Sequence, residues 1–262
     1  MNETPLIKTE QLLKVFPART GDVRAVDHVD LTIHKGEAFG LAGESGSGKS
    51  TLGRLIMGLE SPTAGTIHFD GMDLTALSPA ALRAQRPRFQ MIFQDVRSCL
   101  NPRHRIETIV SEPLRLAGQP RAACRKRVRE LLDHVGLPAT VARRRPGELS
   151  GGQRQRVGIA RAMATEPECI IADEPVSALD VSVQAQILNL LRDLRAEHNL
   201  TYLFISHDLA VVEYLCDRVG IMQKGQLVEV GSAADIFQRP QHPYTQELLA
   251  SVCTLTKPGS AS

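Results

Sequence analysis

Two stretches in which apolar and polar residues alternate, residues 7–16 and 24–33, open the chain. They predict an antiparallel hairpin across the turn-rich Pro17-Ala18-Arg19-Thr20-Gly21-Asp22. Residues 38–42 follow a different pattern: they are almost continuously apolar, as in a strand buried on both faces. That run leads directly into a glycine-rich string, after which helical spacing takes over for residues 49–58. Short apolar runs at 89–93, 170–173 and 202–206 predict further core strands, with helices at 153–164, 183–198 and 209–216 between or after them. Strands alternating with helices favour a largely parallel sheet.

Between residues 94 and 148 the strand-like runs vanish. Two helical patterns replace them, at 106–116 and 122–135, each followed by a Gly or Pro breaker. This segment reads as a helical lobe inserted into the α/β core. Residues 219–222 and 227–230 read as strands joined by the tight turn Lys224-Gly225-Gln226, and the last residues, 254–262, as a small, polar, frayed tail.

Three strings carry the chemistry. The first, Gly43-Glu44-Ser45-Gly46-Ser47-Gly48-Lys49-Ser50, fits the phosphate-loop pattern: its glycines let successive backbone N–H groups curl round phosphates, and Lys49 adds a point charge. The strand before it and the helix after it, which continues through Thr51, are the context that pattern requires. The helix start adds partial positive charge for the β- and γ-phosphates, and the Ser50 hydroxyl can reach magnesium. The second string is an apolar run, Cys169 to Ala172, closing on Asp173-Glu174-Pro175. A carboxylate ending such a strand needs a cation or hydrogen bonds, and successive strand side chains point to opposite faces. Asp173 is therefore expected on the metal and Glu174 on the attacking water. The third string, Leu149-Ser150-Gly151-Gly152-Gln153, opens another helix and makes a second anion site. One nucleotide does not need both sites, so the second is expected to serve a nucleotide held by another subunit.

With these strings in the order its members use, the chain resembles the ATP-binding subunit of an ABC transporter over residues 6 to about 252. The resemblance implies one ATPase domain spanning residues 1–262: a P-loop NTPase core with a mainly parallel sheet and an antiparallel β subdomain (about 6–93 and 165–235), an inserted helical lobe (about 94–164) and a short helical tail (about 236–262). It implies ATP and Mg2+ as ligands. By resemblance, Gln94 links the metal and γ-phosphate to the lobe, Ser177-Ala178-Leu179-Asp180 crosses a dimer interface, His207 contacts the γ-phosphate, and Phe16 stacks on adenine. Magnesium would be held by Ser50, Gln94 and Asp173.

Narrower features resemble the dipeptide, oligopeptide and nickel group of bacterial importers: the stretch Phe93-Gln94-Asp95-Val96-Arg97-Ser98-Cys99-Leu100-Asn101-Pro102-Arg103, and Arg239-Pro240-Gln241-His242-Pro243-Tyr244-Thr245 near the carboxyl end. Val96 stands where that group commonly has proline, and Arg145-Pro146-Gly147-Glu148 replaces its usual Tyr-Pro-His-Glu. The implied function is ATP hydrolysis energising peptide import, with nickel or another metal complex as the alternative solute. The implied partners are a second ATP-binding subunit, identical or a sister, integral membrane permease subunits, and an extracytoplasmic solute-binding protein. The implied location is the cytoplasmic face of the membrane.

Composition narrows the alternatives. Across 262 residues the formal net charge is only +2, only ten residues are aromatic and none is Trp, so no general nucleic-acid surface is expected. A related ATPase of DNA repair or translation would carry coiled coils, zinc modules or a second cassette, and none is visible. No secretory signal and no spanning run of about 20 apolar residues is read. The five cysteines lack paired spacing, and Cys253 alone follows the His-Pro-Tyr motif, so no iron-sulfur cluster is expected.

Overall fold

The computed structural model describes residues 5–18 and 21–255, with side chains as far as residue 251. The chain divides into two compact units, one from residues up to 77 and from 201 onward, the other from residues 78–200. The first opens with β1 (Pro5–Phe16), β2 (Val23–His34), β3 (Ala38–Ala42), α1 (Lys49–Ile56), β4 (Ala64–Phe69) and β5 (Met72–Asp73). The second holds α2 (Pro79–Gln85), β6 (Phe89–Ile92), α3 (Val96–Cys99), α4 (Ile106–Leu116), α5 (Arg121–His134), α6 (Gly151–Ala162), β7 (Cys169–Asp173) and α7 (Val181–His198). The chain then returns to the first unit with β8 (Thr201–Ile205), α8 (Leu209–Leu215), β9 (Arg218–Gln223), β10 (Gln226–Ser232), α9 (Ala233–Gln238) and α10 (Pro243–Leu255).

The opening hairpin is antiparallel as its alternation predicts, with Ile7 opposite Ile33 and Thr9 opposite Leu31. A bulge breaks its register at Gln11, where φ is +47° and both the backbone N–H and Nε2 donate to the Asp30 carboxylate, at 2.6 and 2.7 Å. Strands β4 and β5 extend this sheet in the order β2-β1-β4-β5. They are joined by Asp70-Gly71, both with positive φ (+51° and +78°), as a type I′ turn demands.

The first unit also contains the order β10-β9-β3-β8, in which β3 is parallel to both neighbours and β10 antiparallel to β9. Every residue of β3 and β8 is buried, which accounts for their unbroken apolar runs. Phe39, Tyr202 and Phe204 are wholly enclosed. Each such ring contributes on the order of 1.5–3 kcal/mol by leaving water. Gly40 lets α8 lie against β3, since a Cβ there would come 2.6 Å from Val212 Cγ1.

In the second unit β6 and β7 pair in parallel, Phe89 with Cys169 through Ile92 with Ala172. Helices α4, α5 and α6 pack on one another, and this unit holds the stretch expected as a helical lobe together with β6, β7 and α7. Short polar side chains start several of its helices: Asp95 caps α3, Ser150 α6 and Asp180 α7. Val96 occupies the first position of α3, where proline is equally suited, so this departure keeps the local backbone. Among the described residues no helix is long and apolar enough to cross a membrane. Cys99, Cys124, Cys169 and Cys216 are free thiols, and burial pushes that of Cys169 up to about 12. The side chain of Cys253 and residues 256–262 lie outside the described residues.

Candidate nucleotide site

In the first unit the loop between β3 and α1 is shaped by Gly43, Gly46 and Gly48, with φ of +144°, +82° and +105°. A Cβ at Gly43 would lie 2.2 Å from the Met222 carbonyl oxygen, and one at Gly48 2.0 Å from that of Ala25. The end of β9 and strand β2 therefore clasp the loop. At Gly46 a Cβ would meet nothing within 4 Å, so that part of the loop is open to a ligand. Gly225 N–H donates to the Ser47 carbonyl at 2.9 Å, and Glu44 N–H donates to the Tyr244 hydroxyl at 3.2 Å.

Lys49 is only 4% exposed. Its Nζ donates to the carbonyl oxygens of Gly43 and Glu44 at 2.7 Å each and to Ser47 Oγ at 3.3 Å. The positive charge is thus held against the loop that precedes it. Helix α1 has no side-chain cap and no acidic residue in its first turn, so no side chain there offsets the partial positive charge of its N-terminus. Ser50 and Thr51 follow on that turn, both half-buried.

His207 leaves the end of β8, which runs beside β3 with Ile205 opposite Leu41. Ser206 N–H donates to the Leu41 carbonyl at 3.2 Å, so this histidine emerges at the sheet edge where the glycine loop begins. His207 is exposed, and the Ser206 hydroxyl accepts from Asp208 N–H at 2.9 Å. Phe16 closes β1 opposite Val23 of β2, two residues from the Ala25 carbonyl that abuts Gly48. It is 36% exposed, with Lys14 Nζ 4.8 Å from its ring centre.

The second unit gathers the remaining candidates. Asp173 ends β7 at 3% exposure. Glu174, the next residue, has φ +46°, a conformation a non-glycine residue adopts at a cost on the order of 1–3 kcal/mol. The register of β6 on β7 sets Ile92 beside Ala172, so residues two further along both strands leave the same edge together. There Gln94 Nε2 donates to Glu174 Oε2 at 2.8 Å. Sequence reasoning assigned these two side chains to one reaction without foreseeing their bond.

The Ser150 string forms a reciprocal cap: Gln153 N–H donates to Ser150 Oγ at 3.3 Å, and Ser150 N–H to Gln153 Oε1 at 3.1 Å. Gly152 has a packing reason as well, because a Cβ there would come 2.6 Å from Val183 Cγ1 of α7. Gly151 is exposed. Asp180 accepts from Ser182 Oγ at 2.7 Å and Val183 N–H at 3.0 Å. The Ser182 hydroxyl, then that N–H, holds its carboxyl below the ordinary value.

Comparison with known proteins gives the family. A family described as ABC transporter matches residues 26–177, and one described as oligopeptide/dipeptide transporter, C-terminal region, matches residues 228–261. A putative peptide import ATP-binding protein of Brucella ovis is 51% identical over 253 residues, covering 96% of this chain and 80% of its own length. The oligopeptide transport ATP-binding protein AppF of Bacillus subtilis is 48% identical over 268 residues, covering 99% and 82% respectively. Among solved structures, an ATP-binding cassette in a dimeric post-hydrolysis state bound to ADP and Pi matches with a TM-score of 0.80 and 31% identity, over 87% of this chain and 98% of that one.

Proposed function

The chain belongs to the ABC transporter family and is an ATPase, and on that footing we propose that its hydrolysis of ATP energises import of di- or oligopeptides through separate membrane permease subunits. The observation that carries the solute class is the oligopeptide/dipeptide match at 228–261 in the same chain as the ABC match at 26–177. The names of the relatives favour peptide over nickel.

Lys49 and the N–H groups of residues 43–51 take the β- and γ-phosphates, and Phe16 takes the adenine ring. Glu174 and Gln94 carry the hydrolytic roles in this reading. Glu174 accepts a proton from water as its oxygen bonds to the γ-phosphorus; the bond from that phosphorus to the bridging oxygen breaks, and ADP leaves with the electron pair. The Gln94 amide donates to Glu174 Oε2 at 2.8 Å and so steadies the carboxylate beside it. His207 donates to the γ-phosphate or orients the water. Asp173, Ser50 and Gln94 offer the oxygen donors that Mg2+ prefers, alongside substrate phosphates; when bound, the ion neutralises developing charge on the phosphate oxygens.

Ser150, Gly151, Gly152, Gln153 and Asp180 serve the nucleotide of a second ATP-binding subunit, identical or a sister. That pairing would place the chain on the cytoplasmic face of the membrane beside its permease, with a solute-binding protein delivering peptide outside.

Reconstitution with the permease and binding protein in proteoliposomes tests the proposal. ATP-dependent uptake of labelled di- or oligopeptide is expected, and uptake of nickel without peptide would overturn the solute class. Glu174→Gln should lower kcat by about 100- to 10,000-fold while ATP still binds. Near-normal turnover would remove Glu174 from the role of base.

A further inference from the structure

The His-Pro-Tyr segment near the carboxyl end folds as a helix start with a purpose. The His242 carbonyl accepts from Gln246 N–H at 3.1 Å, the first helical bond of α10, and His242 Nδ1 accepts from Tyr244 N–H at 3.2 Å. The imidazole thus does what a serine or aspartate does at other helix starts, and Pro243 sits at the first helical position, where its missing donor costs nothing. The strand before it fixes the segment in place. Glu229 on β10 accepts from Gln241 N–H at 2.8 Å through one carboxylate oxygen and from His242 N–H at 3.0 Å through the other.

With these backbone and ring groups tied down, the segment has little freedom left, and Tyr244 is carried to one destination. Its ring is 7% exposed, and its hydroxyl oxygen accepts the Glu44 N–H at 3.2 Å, across 200 residues of sequence. Burial pushes the phenol above its ordinary value of 10.0, so it stays neutral, with a proton to donate as well as an oxygen to accept.

Glu44 is the second residue of the glycine loop, and its N–H points to Tyr244 while its carbonyl accepts from Lys49 Nζ at 2.7 Å. One peptide residue therefore joins the phenol on one side to the lysine ammonium on the other. We propose that Tyr244 is a positioning residue for ATP: it anchors the entry of the phosphate loop, and through Glu44 the Lys49 ammonium, so that the loop is ordered before the β- and γ-phosphates arrive. A loop already ordered loses less freedom on binding, which raises affinity without any contact between Tyr244 and the nucleotide. The benefit falls on ligands that use the loop. AMP, which has neither a β- nor a γ-phosphate, gains nothing.

The inference rests on reading residues 43–50 as the phosphate site, and the experiment separates the two. Tyr244→Phe keeps the ring and removes only the hydroxyl, and with it the acceptor for Glu44 N–H. In the full chain, calorimetric titration should show ATP binding about threefold to tenfold weaker, the worth of one hydrogen bond, with AMP binding unchanged. Amide exchange measured at Glu44 should speed up, and the melting temperature should hold. In the complex with permease, KM for ATP should rise while kcat stays the same. Unchanged ATP affinity, or an equal loss for ATP and AMP, overturns the inference, because a purely structural tyrosine would not discriminate between them. Lys49→Ala is the companion: if it binds ATP as the unaltered chain does, the phosphate-site reading fails and the inference with it. Loss in Lys49→Ala without loss in Tyr244→Phe overturns the inference alone.

Discussion

The starts of α1 and α6 invite comparison, because both are glycine-rich and both were read from sequence as anion sites. At α1 the cap position is Gly48, which has no side chain, and the first turn carries no acid. At α6 Ser150 and Gln153 satisfy each other's N–H groups. The glycines differ in kind too. Gly43 and Gly48 are fixed by positive φ and by carbonyl oxygens pressed against them, whereas Gly152 is fixed by a methyl group of Val183. A helix start left bare holds its charge for a ligand. One that caps itself is a finished piece of structure, on which any ligand contact is an addition.

Substitutions should pull the two sites apart. The largest effect is expected for Gly48→Ala, whose Cβ would meet the Ala25 carbonyl oxygen at 2.0 Å with φ at +105°. Backbone cannot yield as a side chain can. A distortion of ~3 kcal/mol at the loop corresponds to about 100-fold weaker ATP binding, read by titration. Binding within twofold of the original would mean that the clasp is looser than described.

Gly152→Ala should act on the fold instead, by about 1–3 kcal/mol in denaturant unfolding, because Val183 must move. The double change with Val183→Ala should recover much of that. Failure to recover would point to a backbone requirement at Gly152 like that of the α1 loop, and would dissolve the contrast.

Ser150→Ala removes a cap and should cost about 1 kcal/mol of stability. A much smaller cost would mean that the reciprocal bonds contribute little.

The smallest effect is a dependence on pH at Asp180, which caps α7 as Ser150 caps α6 but with a charge. Its carboxyl lies below the ordinary 3.8 when folded, so its contribution is full above that value and is lost as pH falls through the folded one. Unfolding curves of Asp180→Asn and the original chain should therefore differ at neutral pH and converge in acid. Parallel curves throughout would remove the charge from the account.

The sequence made the core strands readable because burial on both faces leaves few polar residues to confuse the pattern. The glycine string and the acidic pair at the end of β7 are readable because their chemistry requires those residue types at those spacings. Strands β4 and β5 are outside the elements read from the sequence, although Gly65-Thr66-Ile67-His68-Phe69 alternates and Asp70-Gly71 is a hairpin signal. The bulge at Gln11 left no mark in sequence, because its cause, the Asp30 carboxylate, lies on the neighbouring strand. Likewise the Gln94–Glu174 bond follows from the register of β6 on β7, and the Tyr244–Glu44 bond from where α10 starts. Neither register nor docking is written in any local run of residues.

The supports of the phosphate loop have a consequence for the order in which the protein can be completed. The loop is translated at residues 43–50, but β8 and β9, the parallel neighbours of β3, come after residue 200. Met222 and Gly225, which border the loop, and Tyr244 come later still. A growing chain thus carries its nucleotide string, with only β2 to brace it, through the synthesis of the whole 78–200 unit before these later supports exist. The clasp on the loop is completed only once residues 222–244 have been made, so a chain that stalls before them lacks those supports.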